Sequence, residues 1–211
     1  MDLILMYDHE KRLLEEGYQS IAGCDEVGRG PLAGPIVCAA VILDPANPIE
    51  GLNDSKKLSP AKRIKLDVSI REQALSYAVV FIDVAAVDKL NVYQASRQGM
   101  MQALDQLAIP PDYVLSDAMP LTRSCPTLSL IKGDQISASI AAASIVAKVA
   151  RDAYMIELGR QYPQYGFERH KGYPTREHLV ALKEYGPVPE HRRSFAPVVT
   201  VTTQQGKLNL E

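Results

Sequence analysis

The chain has 211 residues, 46% apolar and 23% charged. That is enough for one domain with a full core and a small appendage, and unlike a disordered or fibrous chain. A formal net charge of −2 excludes nucleic-acid binding through bulk charge and leaves it to local clusters: Lys56-Lys57, Arg169-His170-Lys171 and Arg192-Arg193. No run of about 18 apolar residues marks a membrane span, and no basic-then-apolar leader opens the chain. Cys24 and Cys38 stand in apolar runs and read as buried thiols, and with Cys125 they show no metal spacing, so a reducing cytoplasm is expected.

Residues 1–16 place Leu3, Ile4, Leu5, Met6, Leu13 and Leu14 among charges and predict a short amphipathic helix. A first strand over about Tyr18–Asp25 runs into Asp25-Glu26 and a turn, Gly28-Arg29-Gly30-Pro31 to Gly34-Pro35. Pro35–Leu43 is apolar throughout and reads as a central strand covered on both faces. Ser59-Pro60 is a helix start, the hydroxyl capping and the proline at the first helical position. That helix carries Ile64, Val68 and Leu75 on one side, and its Lys62-Arg63-x-Lys65 cluster reads as solvated surface. Tyr77–Val84 is a third strand. Asp88 is expected to cap a helix to about Leu107, closed by Ile109-Pro110-Pro111. Asp112–Asp117 is a short fourth strand ending on an acid, and Thr127–Lys132 is a fifth. Gly133-Asp134 opens a helix of small residues through Ala147, which predicts close packing on a sheet, with Lys148, Arg151 and Asp152 near its far end. Tyr162–Pro174 is an aromatic and basic loop region, and Thr175 caps a helix to about Tyr185. Gly186–Pro197 is irregular and basic, and the last dozen residues show little pattern. Strands first, then strands alternating with helices, predict a mixed α/β sheet.

Two adjacent carboxylates at the end of a buried strand are costly to keep charged without a cation. Hard oxygen ligands suit magnesium and manganese. Alone, Asp25 and Glu26 read more readily as solvated acids. Asp117 at the end of the fourth strand and Asp134 at a helix start change the balance, because acids at neighbouring strand ends can meet on one sheet edge. Four carboxylates there repel one another unless cations are present. Two divalent ions about 3.5–4 Å apart would neutralise them and clamp the attacking and leaving oxygens of a phosphodiester. Side chains alternate along a strand, so Asp25 and Glu26 cannot both aim inward without a twist; Glu26 is expected at the rim or through its carbonyl. Gly28-x-Gly30-x-x-x-Gly34 departs from the dinucleotide fingerprint, but its amides and Arg29 suit close approach to an anion.

Seven blocks in consistent order, over about residues 18–198, resemble bacterial ribonuclease HII. They are Asp25-Glu26-Val27-Gly28-Arg29-Gly30, Asp54-Ser55-Lys56-Lys57-Leu58, Val114-Leu115-Ser116-Asp117, Lys132-Gly133-Asp134, the Ala141–Val149 helix with Arg151-Asp152, His170-Lys171-Gly172-Tyr173, and His191-Arg192-Arg193-Ser194-Phe195. The resemblance implies a ribonuclease H-like α/β fold. Its five-stranded mixed sheet, in order 3-2-1-4-5, is flanked by helices and followed by a small helical C-terminal region. It places the catalytic core with its N-terminal helix in residues 1–160, the substrate-reading loops and helix in 161–198, and a tail in 199–211. It implies cleavage of the RNA strand of RNA–DNA hybrids, and cutting 5′ of single ribonucleotides embedded in duplex DNA, leaving 3′-hydroxyl and 5′-phosphate ends. By position, Asp25, Glu26, Asp117 and Asp134 are the catalytic and metal-binding acids for two divalent ions, Mn2+ or Mg2+. Gly28, Arg29 and Gly30 would meet the ribose 2′-hydroxyl and flanking phosphates, Lys56 a phosphate, and Tyr173 the sugar after the ribonucleotide. A cytoplasmic monomer with no membrane partner is expected. Ala118 and Pro174 stand where the family commonly has glycine, which narrows the backbone beside the metals and restricts Tyr173 to extended conformations.

Other residues carry plainer readings. His170 and His191 read as surface residues, Tyr173 alternatively as packing, and Asp152 as the partner of an arginine. Ser144 and Lys148 read as helix residues facing the sheet rather than a nucleophilic pair. Two further classes stay open on the residues alone: a module that binds nucleic acid without cutting, and a nucleotide-binding enzyme using the glycine loop, which lacks a P-loop lysine.

Overall fold

The computed structural model of the chain describes residues 6–208, with side chains to Thr203. Leu3, Ile4 and Leu5 of the expected first helix lie outside the described residues, as do the last three residues of the expected tail. In chain order the elements are α1 (Asp8–Glu15), β1 (Ile21–Val27), β2 (Ile36–Ile42), α2 (Pro60–Gln73), β3 (Ser76–Ile82), α3 (Val84–Asp105), β4 (Tyr113–Asp117), β5 (Thr127–Leu130), α4 (Ala138–Gln161), α5 (Phe167–His170), α6 (Arg176–Tyr185) and α7 (Ala196–Leu208). Short 3-10 turns at Ser55–Lys57, Gly133–Gln135 and Pro163–Tyr165 join them.

The five strands form one sheet in the order β3-β2-β1-β4-β5. β1 runs antiparallel to β2 and parallel to β4, and β4 runs parallel to β5, so the sheet is mixed as expected. β2 is buried at every residue, which is why it reads as an unbroken apolar run. The register sets Cys24 beside Ser116. Asp25 and Asp117, each one residue further on, therefore stand level with each other, Asp117 as the last residue of β4 and Asp25 two residues before the end of β1, which runs past the expected end at Asp25 to Val27.

The small-residue helix α4 lies hard against the sheet. A Cβ on Gly23 would stand 2.1 Å from the carbonyl carbon of Ser139, so only glycine admits this approach. The start of α4 is capped from α1: Glu10 Oε1 accepts from Ser139 N at 3.0 Å and from the hydroxyls of Ser137 and Ser139, both at 2.6 Å.

The chain divides into two compact units. The first holds the described residues up to Val27, then Val37–Phe81 and Ser96–Ala150; the second holds Gly28–Ile36, Ile82–Ala95 and the chain from Arg151. The first contains nearly all of the sheet and a core that includes Val37, Val41, Leu66, Ile70 and Val146. The second has its own apolar clusters, around Met155, Tyr165 and Phe167 and around Leu32, Leu182 and Val198.

Several local expectations need correction. On α2 the residues Ile64 and Val68, with Leu75 just beyond, are exposed, and Leu66 and Ile70 face inward; this short i,i+4 pair is all the core takes from the helix. Helix α3 starts before Asp88, with Asp83 accepting from Ala86 N. It breaks at Asn91, whose φ is 66° and whose side chain re-caps it through Tyr93 N and Gln94 N. Asp88 instead receives Arg193 N and Ser194 N. The C-terminal segment read as patternless carries helix α7. Its valines and threonines hide it from propensity, while buried Val198 ties it to Leu32 and Leu182.

Candidate active site

In the first unit the strand ends gather acids. Asp25 is 5% exposed and Asp134 4%, while Glu26 and Asp117 are half-buried. Asp25 Oδ1 accepts from Glu26 N at 2.7 Å, and Asp117 Oδ1 accepts from Gly133 N at 2.7 Å. That second bond anchors the Gly133–Gln135 turn, which presents Asp134. Burial, with the charges of Glu26 and Asp117, pushes Asp25 well above the usual carboxylate range, against hydrogen bonds from Ser144 and the Glu26 amide. Burial, then the carboxylates of Asp54 and Asp117, pushes Asp134 up to about 6. Exposed Lys56 feels the same field: desolvation works against its charge, but Asp134, Asp25, Asp54 and Asp117 together hold its ammonium above the ordinary value.

Asp54 is an acid the sequence reading passed over. It is 6% exposed and accepts from Lys56 N at 2.9 Å, capping the turn that carries Lys56. It also accepts from Gln135 Nε2 at 3.3 Å and hydrogen-bonds Asp134. The motif Asp54-Ser55-Lys56 was visible, but nothing in its spacing says that its acid turns toward the strand ends. Ser144 is likewise part of this region. It links Asp25 to buried Ser55, whose Oγ lies 3.0 Å from Ser144 Oγ. Arg63, read as solvated, is half-buried and donates to the carbonyls of Ser55 (2.9 Å) and Leu58 (2.6 Å), bracing the same turn.

Among the described residues no three His, Cys, Asp or Glu side chains already close around a common point. The donors nevertheless fit a hard divalent ion. They are carboxylate oxygens, and at Asp25 and Asp134 burial and neighbouring carboxylates favour the protonated form, a penalty that a cation would relieve. A partly open, mainly apolar cavity of about 150 Å3, lined by Tyr7, Leu14, Ile21, Leu43 and Pro45 among others, contains none of these acids.

In the second unit lie Gly28, Arg29, Gly30 and Tyr173. Gly28 has φ +96°, and a Cβ there would stand 2.2 Å from Arg151 Nε, so both conformation and space demand glycine. Gly30 is different: a Cβ would meet Tyr173 Cε1 at 3.5 Å, an ordinary contact. The Tyr173 ring is 43% exposed and Arg29 is exposed. The loop is held from beneath by two buried arginines. Arg192 donates to Gly28 O (2.5 Å), Arg29 O (2.8 Å) and Gly34 O (2.8 and 3.1 Å). Arg151 donates to Pro35 O (3.0 Å), Ala33 O (3.2 Å) and Lys171 O (3.0 Å). Burial, then the Arg151 charge, pulls Arg192 down to about 9, so it keeps its proton at neutral pH. The pair Arg192-Arg193 read as basic surface; Arg192 is 0% exposed and its donors are spent on carbonyls. His170 and His191 are buried as well, not on the surface.

A family profile described as Ribonuclease HII matches residues 22–198. The chain is 55% identical over 201 residues to Ribonuclease HII of Halalkalibacterium halodurans, covering 95% of this chain and 76% of that protein. Among solved structures it is similar to ribonuclease H2 from Pyrococcus horikoshii OT3. There the TM-score is 0.77 at 27% identity, covering 90% of this chain and 100% of that one. The fold is also that of Bst-RNase HIII solved in complex with Mn2+, with TM-score 0.70 and 20% identity over 89% of this chain and 70% of that chain. Among the described residues no helix is long and apolar enough to cross a membrane.

Proposed function

The chain belongs to the ribonuclease HII family, ribonucleases H that cleave the RNA of RNA–DNA hybrids, and from that premise we propose that it also cuts 5′ of a single ribonucleotide embedded in duplex DNA. Asp25, Glu26, Asp117 and Asp134 would hold two divalent ions, Mn2+ or Mg2+. Such ions, when bound, polarise the phosphate and lower the pKa of a water that attacks it. The chain's own residues bind and orient. Lys56 meets a phosphate, the backbone of Gly28-Arg29-Gly30 meets the ribose 2′-hydroxyl and neighbouring phosphates, and Tyr173 packs on the next sugar. The 2′-hydroxyl is what separates RNA from DNA at one position, and a loop without Cβ atoms at two positions can approach it closely.

The observation that carries this reading is the charge imbalance where Asp25 of β1 stands level with Asp117 at the end of β4. Asp25 and Asp134 are buried and held toward their protonated forms by each other's neighbours. The products expected are a 3′-hydroxyl and a 5′-phosphate. Unpaired buried Cys24 and Cys38 support a reducing, cytoplasmic setting, and a monomer is proposed, checked by light scattering. The functional test is cleavage of an end-labelled duplex with one ribonucleotide, of a continuous hybrid, and of an all-DNA duplex. Cutting of the first two that stops in chelator and returns with manganese supports the reading. Cutting of the hybrid alone removes the single-ribonucleotide activity, and robust cutting in chelator removes the metal.

A further inference from the structure

In the second unit three histidines lie together, His178 and His191 at 0% exposure and His170 at 9%. A neutral imidazole has one donor and one acceptor nitrogen, and the partners here decide which is which. Val188 N–H donates to His191 Nδ1 at 3.1 Å, so the His191 proton sits on Nε2. That nitrogen faces His178 Nε2 at 3.0 Å, which must accept. His178 is then protonated on Nδ1, and this N–H donates to the carbonyl of Tyr173 at 2.9 Å. Every link has one orientation, and the line runs from Val188 to Tyr173 without a break. His170 stacks on His178 at 4.6 Å and is fixed independently, accepting from Gly172 N at 3.2 Å and lying 2.7 Å from Tyr165 O. Burial first, and then a neighbouring imidazole (His178 for His191, the stacked His170 for His178), hold the line neutral, with His191 at about 3 and His178 at about 4.

The other end of this line is the glycine loop. His191 pairs with Ala33 in an isolated bridge. Its neighbours extend the stitching: Arg192 N donates to Leu32 O at 2.8 Å, Gly34 N to Glu190 O at 2.9 Å, and Leu32 N to Gly172 O at 2.8 Å. The segment around His191 is thus tied to the chain that continues Gly28-Arg29-Gly30, while His178 holds the backbone of Tyr173, whose ring borders Gly30. We propose that His191 and His178 are positioning residues for sugar selection, a fixed-length strut that sets the Tyr173 ring against the glycine loop. This rests on the reading of Tyr173 as a sugar contact. A merely structural pair would support any activity equally. A strut matters most where Tyr173 must judge one sugar.

The test is a double-mutant cycle between His178→Phe and Tyr173→Ala, read by single-turnover cleavage and duplex affinity on a one-ribonucleotide duplex and on a continuous hybrid. His178→Phe alone should slow the one-ribonucleotide duplex by about tenfold or more and change its rate relative to the hybrid, with affinity nearly unchanged. In the Tyr173→Ala background it should add less than about twofold, because residues acting through one another are not additive. Equal fold-losses in both backgrounds, or equal losses on both substrates, would overturn the strut. Tyr173→Ala cleaving both substrates at the parent rate would remove the underlying reading and the strut with it, and that is seen in the single variant. If His178→Phe does not fold, His178→Gln, which keeps an acceptor for His191, enters the same cycle.

Discussion

In the first unit Asp25 and Asp134 are buried among other carboxylates, with burial and like charge holding both toward the protonated form. In the second unit Arg151 and Arg192 are just as buried, yet seven hydrogen bonds connect their guanidinium groups to backbone carbonyls. The two regions bury charge of opposite sign, and only one of them is internally satisfied. A satisfied buried charge fixes a shape; here it is the shape of the Gly28–Gly30 loop. An unsatisfied one is a demand on something outside the chain. On the function proposed above, the difference separates the part of the molecule that would read a substrate from the part that would take up an ion.

The comparison breaks most visibly if the satisfied charge is removed. Arg192→Met leaves the carbonyls of Gly28, Arg29 and Gly34 without their donor and should cost about 1–3 kcal/mol of stability for each acceptor left buried and unpaired, measured by urea unfolding. A loss within about 0.5 kcal/mol, the range of an ordinary surface substitution, would mean the loop does not depend on it. On the other side, Asp117→Asn keeps an acceptor for Gly133 N while removing charge. The fold should survive and single-turnover cleavage should fall on the order of a hundredfold or more. Near-parent turnover would place Asp117 outside the chemistry.

Sequence carried these two regions unequally. The acids are legible because each stands near a strand end or in a turn, where alternation and turn chemistry say what a side chain can reach. The strand order became legible only through the resemblance. Arg192 and His191 were misread because they sit in an irregular basic stretch, and nothing local says that a basic run will be swallowed. Their partners, at Gly28 to Gly34, are more than 150 residues away in the chain. Asp54 is hidden for the opposite reason: its turn is recognisable, but Lys56 is the residue in it whose charge suits a phosphate. Helix α7 was missed because β-branched residues lower propensity and a single buried Val198 decides the docking.

Acid titration sharpens the comparison because the two regions respond with opposite sign. His178 and His191 lie at about 4 and about 3 when folded, against 6.5 ordinarily. The unfolded chain therefore binds protons first, and their contribution is complete above 6.5 and lost as pH falls through that window. Asp134 is raised from 3.8 to about 6, so its folded form binds the proton first. That contribution is present below 3.8 and lost as pH rises toward 6. Urea midpoints in chelator should show both slopes, and His178→Gln should flatten only the histidine part. Identical pH curves for parent and variant would contradict the assignment.

The smallest effect concerns strain beside the acids. Ala118 has φ 46°, left-handed backbone that costs an alanine about 1–2 kcal/mol. Part of that is returned by the greater unfolded-state freedom of glycine. Ala118→Gly should therefore stabilise by about 0.5–1 kcal/mol, read as a rise in the urea midpoint at unchanged slope. A loss of stability would show that the turn after β4 does not strain its alanine.

The central claim is that the first unit's buried carboxylates await a divalent ion, while the second unit's buried arginines need nothing further. Amide hydrogen exchange with and without manganese, on the parent and on Asp117→Asn, tests it most directly, since an ion bound only to the folded state raises the cost of local opening. The expected result is added protection in the parent at the end of β1, the Ser55–Lys57 turn, the end of β4 and the Gly133–Gln135 turn, with most of it lost in Asp117→Asn and none gained around Arg151 and Arg192. Protection unchanged by manganese, or gained equally by the variant, would contradict the account.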